Sequence, residues 1–165
     1  MQNHGKLKDL VARHEEGAIH MADGYARAIN TVGVCAATSG PGASNFVTGL
    51  YTAQVDSIPI LAITGQNVRA QLGREAFQAV DIAEICKPIT KKSYCVKEPA
   101  MVPWVFREAF RIMREGRPGP VLIDLPLDVQ MADIPYDPDK DVALPIHKTA
   151  PDEKQINQAI DLLLA

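Results

Sequence analysis

Along this chain, short runs of consecutive apolar residues alternate with stretches of helical periodicity, and this alternation restricts the fold more than any other feature. Thr31–Thr38 (TVGVCAAT), Pro59–Thr64 (PILAIT) and Pro120–Leu125 (PVLIDL) are apolar at successive positions rather than at every second one. That is the pattern of a strand covered on both faces. Ser93–Val96 is a shorter strand candidate, and Leu7–Arg13 fits strand or helix by pattern alone. Between these runs, Glu16–Ile29 places Ala18, Met21, Ala22, Tyr25 and Ala26 at helical spacing. A second helix spans roughly Ala43–Gln54, and a short one over Ala76–Ile85 stops before Pro88. Val102–Glu115 aligns Val105, Phe106, Ala109, Phe110, Ile112 and Met113, with Gly116 as the C-terminal cap. Strands joined by such helices predict an α/β fold, a parallel sheet with helices on both faces. Its binding sites are expected at the carboxyl ends of strands.

The composition changes at Pro135. Residues 135–150 include Tyr136-Asp137-Pro138-Asp139-Lys140-Asp141 and Leu144-Pro145 and read as an exposed Pro-rich linker. Pro151-Asp152-Glu153 opens a further helix, Lys154–Leu164, so residues 151–165 read as the start of a next domain after a main domain over 1–134.

With 47% hydrophobic and 22% charged residues, the chain has the balance of a soluble globular protein. A net charge of −3 and few aromatic residues argue against a nucleic-acid partner. Cys35, Cys86 and Cys95 have neither disulfide-framework nor zinc-site spacing. Cys35 and Cys95 sit in apolar runs and are expected as buried free thiols, consistent with a reducing compartment. No apolar run approaches the roughly 18 residues that a membrane span needs, and Met1–Lys6 lacks a signal-peptide core. The expectation is a cytoplasmic protein with no membrane association.

Four short segments carry candidate chemistry: Arg13-His14-Glu15-Glu16-Gly17-Ala18, Thr38-Ser39-Gly40-Pro41-Gly42, Ile63-Thr64-Gly65-Gln66 and Gly116-Arg117-Pro118-Gly119-Pro120. If Leu7–Arg13 is a strand, Glu15, Gly40-Pro41 and Gly65-Gln66 all fall at strand ends. The SGPG bend is either a plain strand-to-helix connection or a wall whose glycines admit a flat ring closely. It is not a phosphate loop, since no GxxxxGK[ST] is present, and no GxGxxG follows a strand. Glu16 suits charge compensation in a helix's first turn. His14 has no partner that suggests a triad or a metal, and no metal ligands are expected in this chain.

In this order the segments resemble the pyrimidine-binding (Pyr-type) domain of thiamine-diphosphate enzymes of the acetolactate synthase and glyoxylate carboligase group. The resemblance runs through essentially the whole chain. It implies that Glu15 contacts the cofactor's aminopyrimidine ring and starts the chemistry, from a desolvated position with a raised pKa. It places Pro41 and Asn45 in the aminopyrimidine pocket, and Phe77 and Gln78 near the reaction centre with Gln78 catalytic. Phe77 in the core and Gln78 on a solvated helix is the plainer alternative. By the same resemblance Arg117 contacts a flavin (FAD), against the alternative of a solvated arginine. The implied reaction is decarboxylation of a small 2-oxo acid and ligation of the resulting enamine to a second carbonyl, with thiamine diphosphate and Mg2+ as cofactors. The diphosphate and its metal belong to a separate domain, and the site forms between subunits of a homo-oligomer, at least a dimer. The first strand and its glycine-rich turn are expected to be missing, which makes the domain N-terminally truncated and the isolated chain inactive.

Within the group, Ala76-Phe77-Gln78-Ala79-Val80-Asp81-Ile82, Asp56-Ser57-Ile58-Pro59-Ile60 and Asp124-Leu125-Pro126-Leu127-Asp128-Val129-Gln130 resemble glyoxylate carboligase. Acetolactate synthases typically carry Lys where this chain has Leu127. Glyoxylate carboligase, in turn, replaces the catalytic Glu with Val, whereas this chain keeps Glu15. Acetolactate synthase acting on pyruvate therefore stays open, and so does a non-catalytic α/β binding domain. The enzymatic reading predicts Glu15, Pro41, Asn45 and Gln78 around one cleft. The binding-domain reading predicts an exposed Glu15 with the others scattered.

Overall fold

The computed structural model describes residues 8–165. Met1–Lys6 and Leu7, which bear on the signal-peptide and first-strand expectations, lie outside the described residues.

The sheet is parallel and four-stranded, in the order β1-β2-β4-β3. Its strands are β1 (Gly33–Ala37), β2 (Ile60–Gln66), β3 (Lys92–Cys95) and β4 (Val121–Pro126). The central pair, β2 and β4, explains the unbroken apolar runs. Ile60 and Ala62 of β2 and Leu122 of β4 join one core with Ile19, Ala22, Phe46, Leu50 and Ile82. The alternate residues Leu61, Val121 and Ile123 join a second core with Val105, Ala109 and Met113 on the opposite face. Helices thus cover both faces, as the sequence predicts.

The first core is closed by α1 (Glu15–Ile29), α2 (Pro41–Ser44), α3 (Val47–Asp56) and α4 (Ile82–Cys86), and the second by α5 (Val102–Ile112). α1 buries Ile19, Ala22, Asp23 and Ala26, one helical stripe. It lies tightly on α3, because a Cβ at Gly49 would come within 2.3 Å of Ile19 Cγ2. That contact fixes the axial position of α1 and hence where its first residue, Glu15, can reach. Arg27 adds an ionic tie between the two helices, pairing with both Asp23 and Asp56 at 2.7 Å.

Three predicted elements differ, the first being the helix expected over roughly Ala43–Gln54, which is divided into α2 and α3. Residues 8–14 form no strand, and Leu10 and Val11 are exposed. Glu15 therefore does not end a strand; it opens α1, whose N-cap is His14, with Nδ1 accepting from Glu16 N at 3.2 Å. The predicted helix Ala76–Ile85 is reduced to α4, Ile82–Cys86. Gln78 has φ +55°, which no α-helix accommodates, and the Asp81 side chain restarts the helix by accepting from Glu84 N.

After β4 the chain makes α6 (Leu127–Gln130) and an irregular stretch, then α7 (Glu153–Leu164), in which every residue is exposed. Among the described residues no helix is long and apolar enough to cross a membrane. The cysteines are free: Cys35 and Cys86 are buried and Cys95 is half-buried. Burial pushes the thiols of Cys35 and Cys86 up to about 12, which keeps them protonated and unreactive at neutral pH.

Candidate functional site

β1 delivers the chain at Ala37 into Thr38-Ser39-Gly40 and then directly into α2. Gly40 turns the corner with φ +61° and ψ −117°, a conformation nearly restricted to glycine. Pro41 follows at the first helical position and is exposed. One turn later comes Asn45, and here the first motif meets the second: Asn45 Nδ2 donates to Glu15 Oε2 at 3.0 Å. The other carboxylate oxygen faces Gly42, where an added Cβ would lie 3.3 Å from Glu15 Oε1 and 2.7 Å from Thr38 Cγ2. Gly42 is buried and close-packed beneath the carboxylate, where a side chain would collide with Thr38 and crowd Glu15.

Glu15 is half-buried, and its carboxyl is held below the usual carboxylate range. The Asn45 amide is the main cause and a local backbone hydrogen bond adds to it; together they outweigh the modest desolvation. This corrects the expectation of a desolvated acid with a raised pKa. The first turn of a helix, with an amide donor alongside, favours the charged form.

Gln78 reaches the same place from another segment. It takes φ +55° in the turn before α4 and rests on Gly40, where a Cβ would overlap Gln78 Cβ at 2.7 Å. Ser39 Oγ donates to Gln78 Oε1 at 3.4 Å. Glu15, Pro41, Asn45 and Gln78 thus share the carboxyl edge of β1. Phe77 is not core: its side chain is 84% exposed beside this edge, and its carbonyl accepts from Asn67 Nδ2 at 3.1 Å. Leu127, half-exposed at the start of α6, follows the carboxyl end of β4.

Arg117 is apart from this group, in the connection leading into β4. Its Nε donates to Ser57 Oγ at 2.7 Å, and Nη2 donates to the carbonyls of Val55 at 2.8 Å and Gln54 at 3.3 Å. It closes the C-terminal end of α3, at the sheet's opposite edge.

Sequence reasoning missed a buried polar group beneath the site. Asp124, 1% exposed, accepts from Thr64 Oγ1 at 2.7 Å and from Gln66 Nε2 at 2.9 Å. Burial pushes its carboxyl up to about 6, against the opposing pull of those two hydrogen bonds. The available signal was a single acid inside the apolar run PVLIDL, because an acid buried there must find donors. A cavity of about 650 Å³ lies beyond this network, lined in part by Gln66, Val80, Asp81, Ser93 and Cys95. Its lining includes none of Glu15, Pro41, Asn45 or Gln78, so the candidate site is the shelf at β1 and not this cavity. Among the described residues no cluster of metal ligands occurs.

Comparison with known proteins identifies relatives of the chain. A family model described as "Thiamine pyrophosphate enzyme, N-terminal TPP binding domain" matches residues 1–85. A glyoxylate carboligase of Escherichia coli O157:H7 is 53% identical over 165 residues, covering 99% of this chain and 28% of that protein. An acetolactate synthase of Arthrospira platensis is 53% identical over 163 residues, 96% of this chain and 28% of that protein. Among solved structures, a thiamine-diphosphate-dependent 4-hydroxybenzoylformate decarboxylase from Rhodococcus jostii RHA1 superposes with a TM-score of 0.83 at 27% identity, over 92% of this chain and 29% of that one. The chain therefore spans under a third of the length of these relatives.

Proposed function

The chain belongs to the thiamine-diphosphate-dependent enzyme family that includes glyoxylate carboligase and acetolactate synthase, and from that membership we propose that it serves as the aminopyrimidine-binding part of a carboligase. The enzyme would decarboxylate a 2-oxo acid and join the remaining fragment to a second carbonyl compound. The supporting observation is the Glu15–Asn45 hydrogen bond over the close-packed Gly42, with Gln78 turned onto Gly40.

These residues fit a flat, nitrogen-bearing ring. Glu15 offers a carboxylate to a ring nitrogen, and Asn45 fixes which oxygen remains available. Gly42 lets Thr38 and the Glu15 carboxylate approach the backbone as closely as they do, which a side chain would prevent. When bound, thiamine diphosphate supplies the carbon nucleophile and the electron sink of the reaction. Glu15 holds and moves a proton at the ring nitrogen, Pro41 and Asn45 shape the ring's seat, and Gln78 and Phe77 border the reacting end. Mg2+ would be held by a segment outside this chain. A flavin, a homo-oligomeric assembly that completes the site, and a cytoplasmic location belong to the same proposal. So do a pyrimidine-binding domain over 1–134, a linker over 135–150 and a further domain from 151, of which the chain alone is inactive.

For the substrate we favour glyoxylate, on Leu127 and the surrounding DLPLDVQ segment at the carboxyl edge. Pyruvate is the second reading, because Glu15 is retained and a named acetolactate synthase matches at the same 53% identity. The deciding experiment expresses the complete reading frame and analyses products from glyoxylate and from pyruvate, for the wild type and Glu15→Gln. Thiamine-dependent product that disappears in the variant supports the proposal. Unchanged turnover in the variant removes Glu15 from it.

A further inference from the structure

The Gln78 turn is costly by itself. A non-glycine residue at positive φ persists only where its surroundings hold it there. Two hydrogen bonds do so from either side: Asn67 Nδ2 donates to the Phe77 carbonyl at 3.1 Å, and Gln66 Nε2 donates to the Val80 carbonyl at 2.7 Å. Both clamps come from the carboxyl end of β2.

The Gln66 amide has no freedom to do otherwise. Its nitrogen donates both to Val80 O and to Asp124 Oδ2, and its oxygen accepts from Asn67 N at 2.9 Å. An amide whose two hydrogens and oxygen are all engaged has one orientation. Asp124 is itself oriented through its other oxygen by Thr64, its register partner on the neighbouring strand. The path Thr64–Asp124–Gln66–Val80 therefore runs from the buried sheet to the turn that carries Gln78.

We propose that Asp124 is a positioning residue, which acts through Gln66 to hold the Gln78 turn against Gly40 and so sets the geometry of the reacting end of the site. This rests on the proposed function only in assigning Gln78 to the reaction; the mechanical claim is independent of it. Gln66 Nε2 can only donate to position 124, whereas Thr64 Oγ1 can also accept, so an amide there could keep both contacts and leucine, of similar shape, keeps neither.

The test uses the protein from the complete reading frame and has two readouts. Hydrogen exchange is followed at the backbone amides of 76–81 and of α5 in the wild type, Asp124→Leu and Thr64→Val. Steady-state turnover with glyoxylate and with pyruvate is measured in a cycle combining Asp124→Leu with Gln78→Ala. The expected result is loss of protection at 76–81 with α5 unchanged, and a fall in kcat/KM of about tenfold to a hundredfold in Asp124→Leu. That fall shrinks to little or nothing when Gln78 is already Ala. Uniform loss of protection, or additive losses in the cycle, would overturn the proposal. Should Asp124→Leu not fold, Thr64→Val, a near-isosteric change that removes the contact orienting Asp124, carries both readouts with the same criteria. Absence of thiamine-dependent product from the wild type would count against the proposed function, while the exchange data would still decide the mechanical claim.

Discussion

Gly40 and Gln78 meet backbone to backbone: a Cβ at Gly40 would lie 2.8 Å from the Gln78 Cα and 2.8 Å from its carbonyl oxygen. Neither residue has an ordinary conformation, with φ +61° at Gly40 and +55° at Gln78. Segments far apart in sequence are thus joined at their two most restricted points. The glycine of the SGPG bend is needed for its shape and for the space it leaves.

Gly40→Ala is expected to destabilise the protein by about 2–4 kcal/mol, combining an unfavourable backbone conformation with overlap against Gln78. Urea unfolding of the variant beside the wild type measures it. A loss below about 0.5 kcal/mol, within the range of an ordinary surface change, would mean that the two segments separate freely.

The Asn45 amide is the largest influence holding the Glu15 carboxyl low. Asn45→Ala should therefore raise the pH at which Glu15 titrates, and Asn45→Asp should raise it further by setting a second carboxylate at hydrogen-bond distance. Carbon-13 NMR of the labelled Glu15 carboxyl follows this directly. A midpoint that stays put in both variants would break the link between the two residues.

The strands were legible because a run buried on both faces has no polar positions to confuse its pattern, as in Leu61–Ala62–Ile63 and Val121–Leu122–Ile123. The grouping of Glu15, Pro41, Asn45 and Gln78 was implied by the resemblance to a family and not by the order of the short segments alone. Two things were not legible. Ala76–Ile85 has helix-like apolar spacing, but Gln78 is held at positive φ by contacts from β2 and from Gly40, which local sequence does not encode. The donors around Asp124 depend on register. Thr64 and Asp124 are partners across β2 and β4, and alternation brings Gln66 to the same side, a relation that appears only once the strands are aligned.

Asp124 gives stability an unusual pH dependence. Its carboxyl, ordinarily 3.8, is pushed up to about 6 in the fold, chiefly by burial. Between those values the folded state holds the proton more tightly than the unfolded chain does. Its contribution therefore improves as pH falls from about 6 to about 4, and the full cost of the buried charge is felt above 6. The carboxyls of Glu15, Glu108 and Asp128 are lowered and act in the opposite direction, so the wild type must be compared with a variant. The stability difference between wild type and Asp124→Asn should shift towards the wild type by at most roughly 3 kcal/mol from pH 7 to pH 4. Denaturant unfolding across that range tests it. A difference that is flat with pH, or that moves towards the variant on acidification, would show that burial does not strengthen the carboxyl's hold on its proton.

Arg117 offers the clearest separation of structure from ligand binding. Its guanidinium donates to Ser57 Oγ and to the carbonyls of Gln54 and Val55, at the C-terminal end of α3. A helix leaves its last carbonyls without partners and carries partial negative charge there, so a cation with several N–H groups satisfies both. Arg117→Ala should cost about 1 kcal/mol. Arg117→Lys should recover part of that, because the charge remains while the forked geometry is lost. The measurement is made on flavin-free protein, with flavin content assayed separately after reconstitution. Destabilisation without flavin present, partly restored by Lys, identifies Arg117 as the cap of α3. No change in the flavin-free protein, with a fall in bound flavin, would assign the guanidinium to the ligand instead.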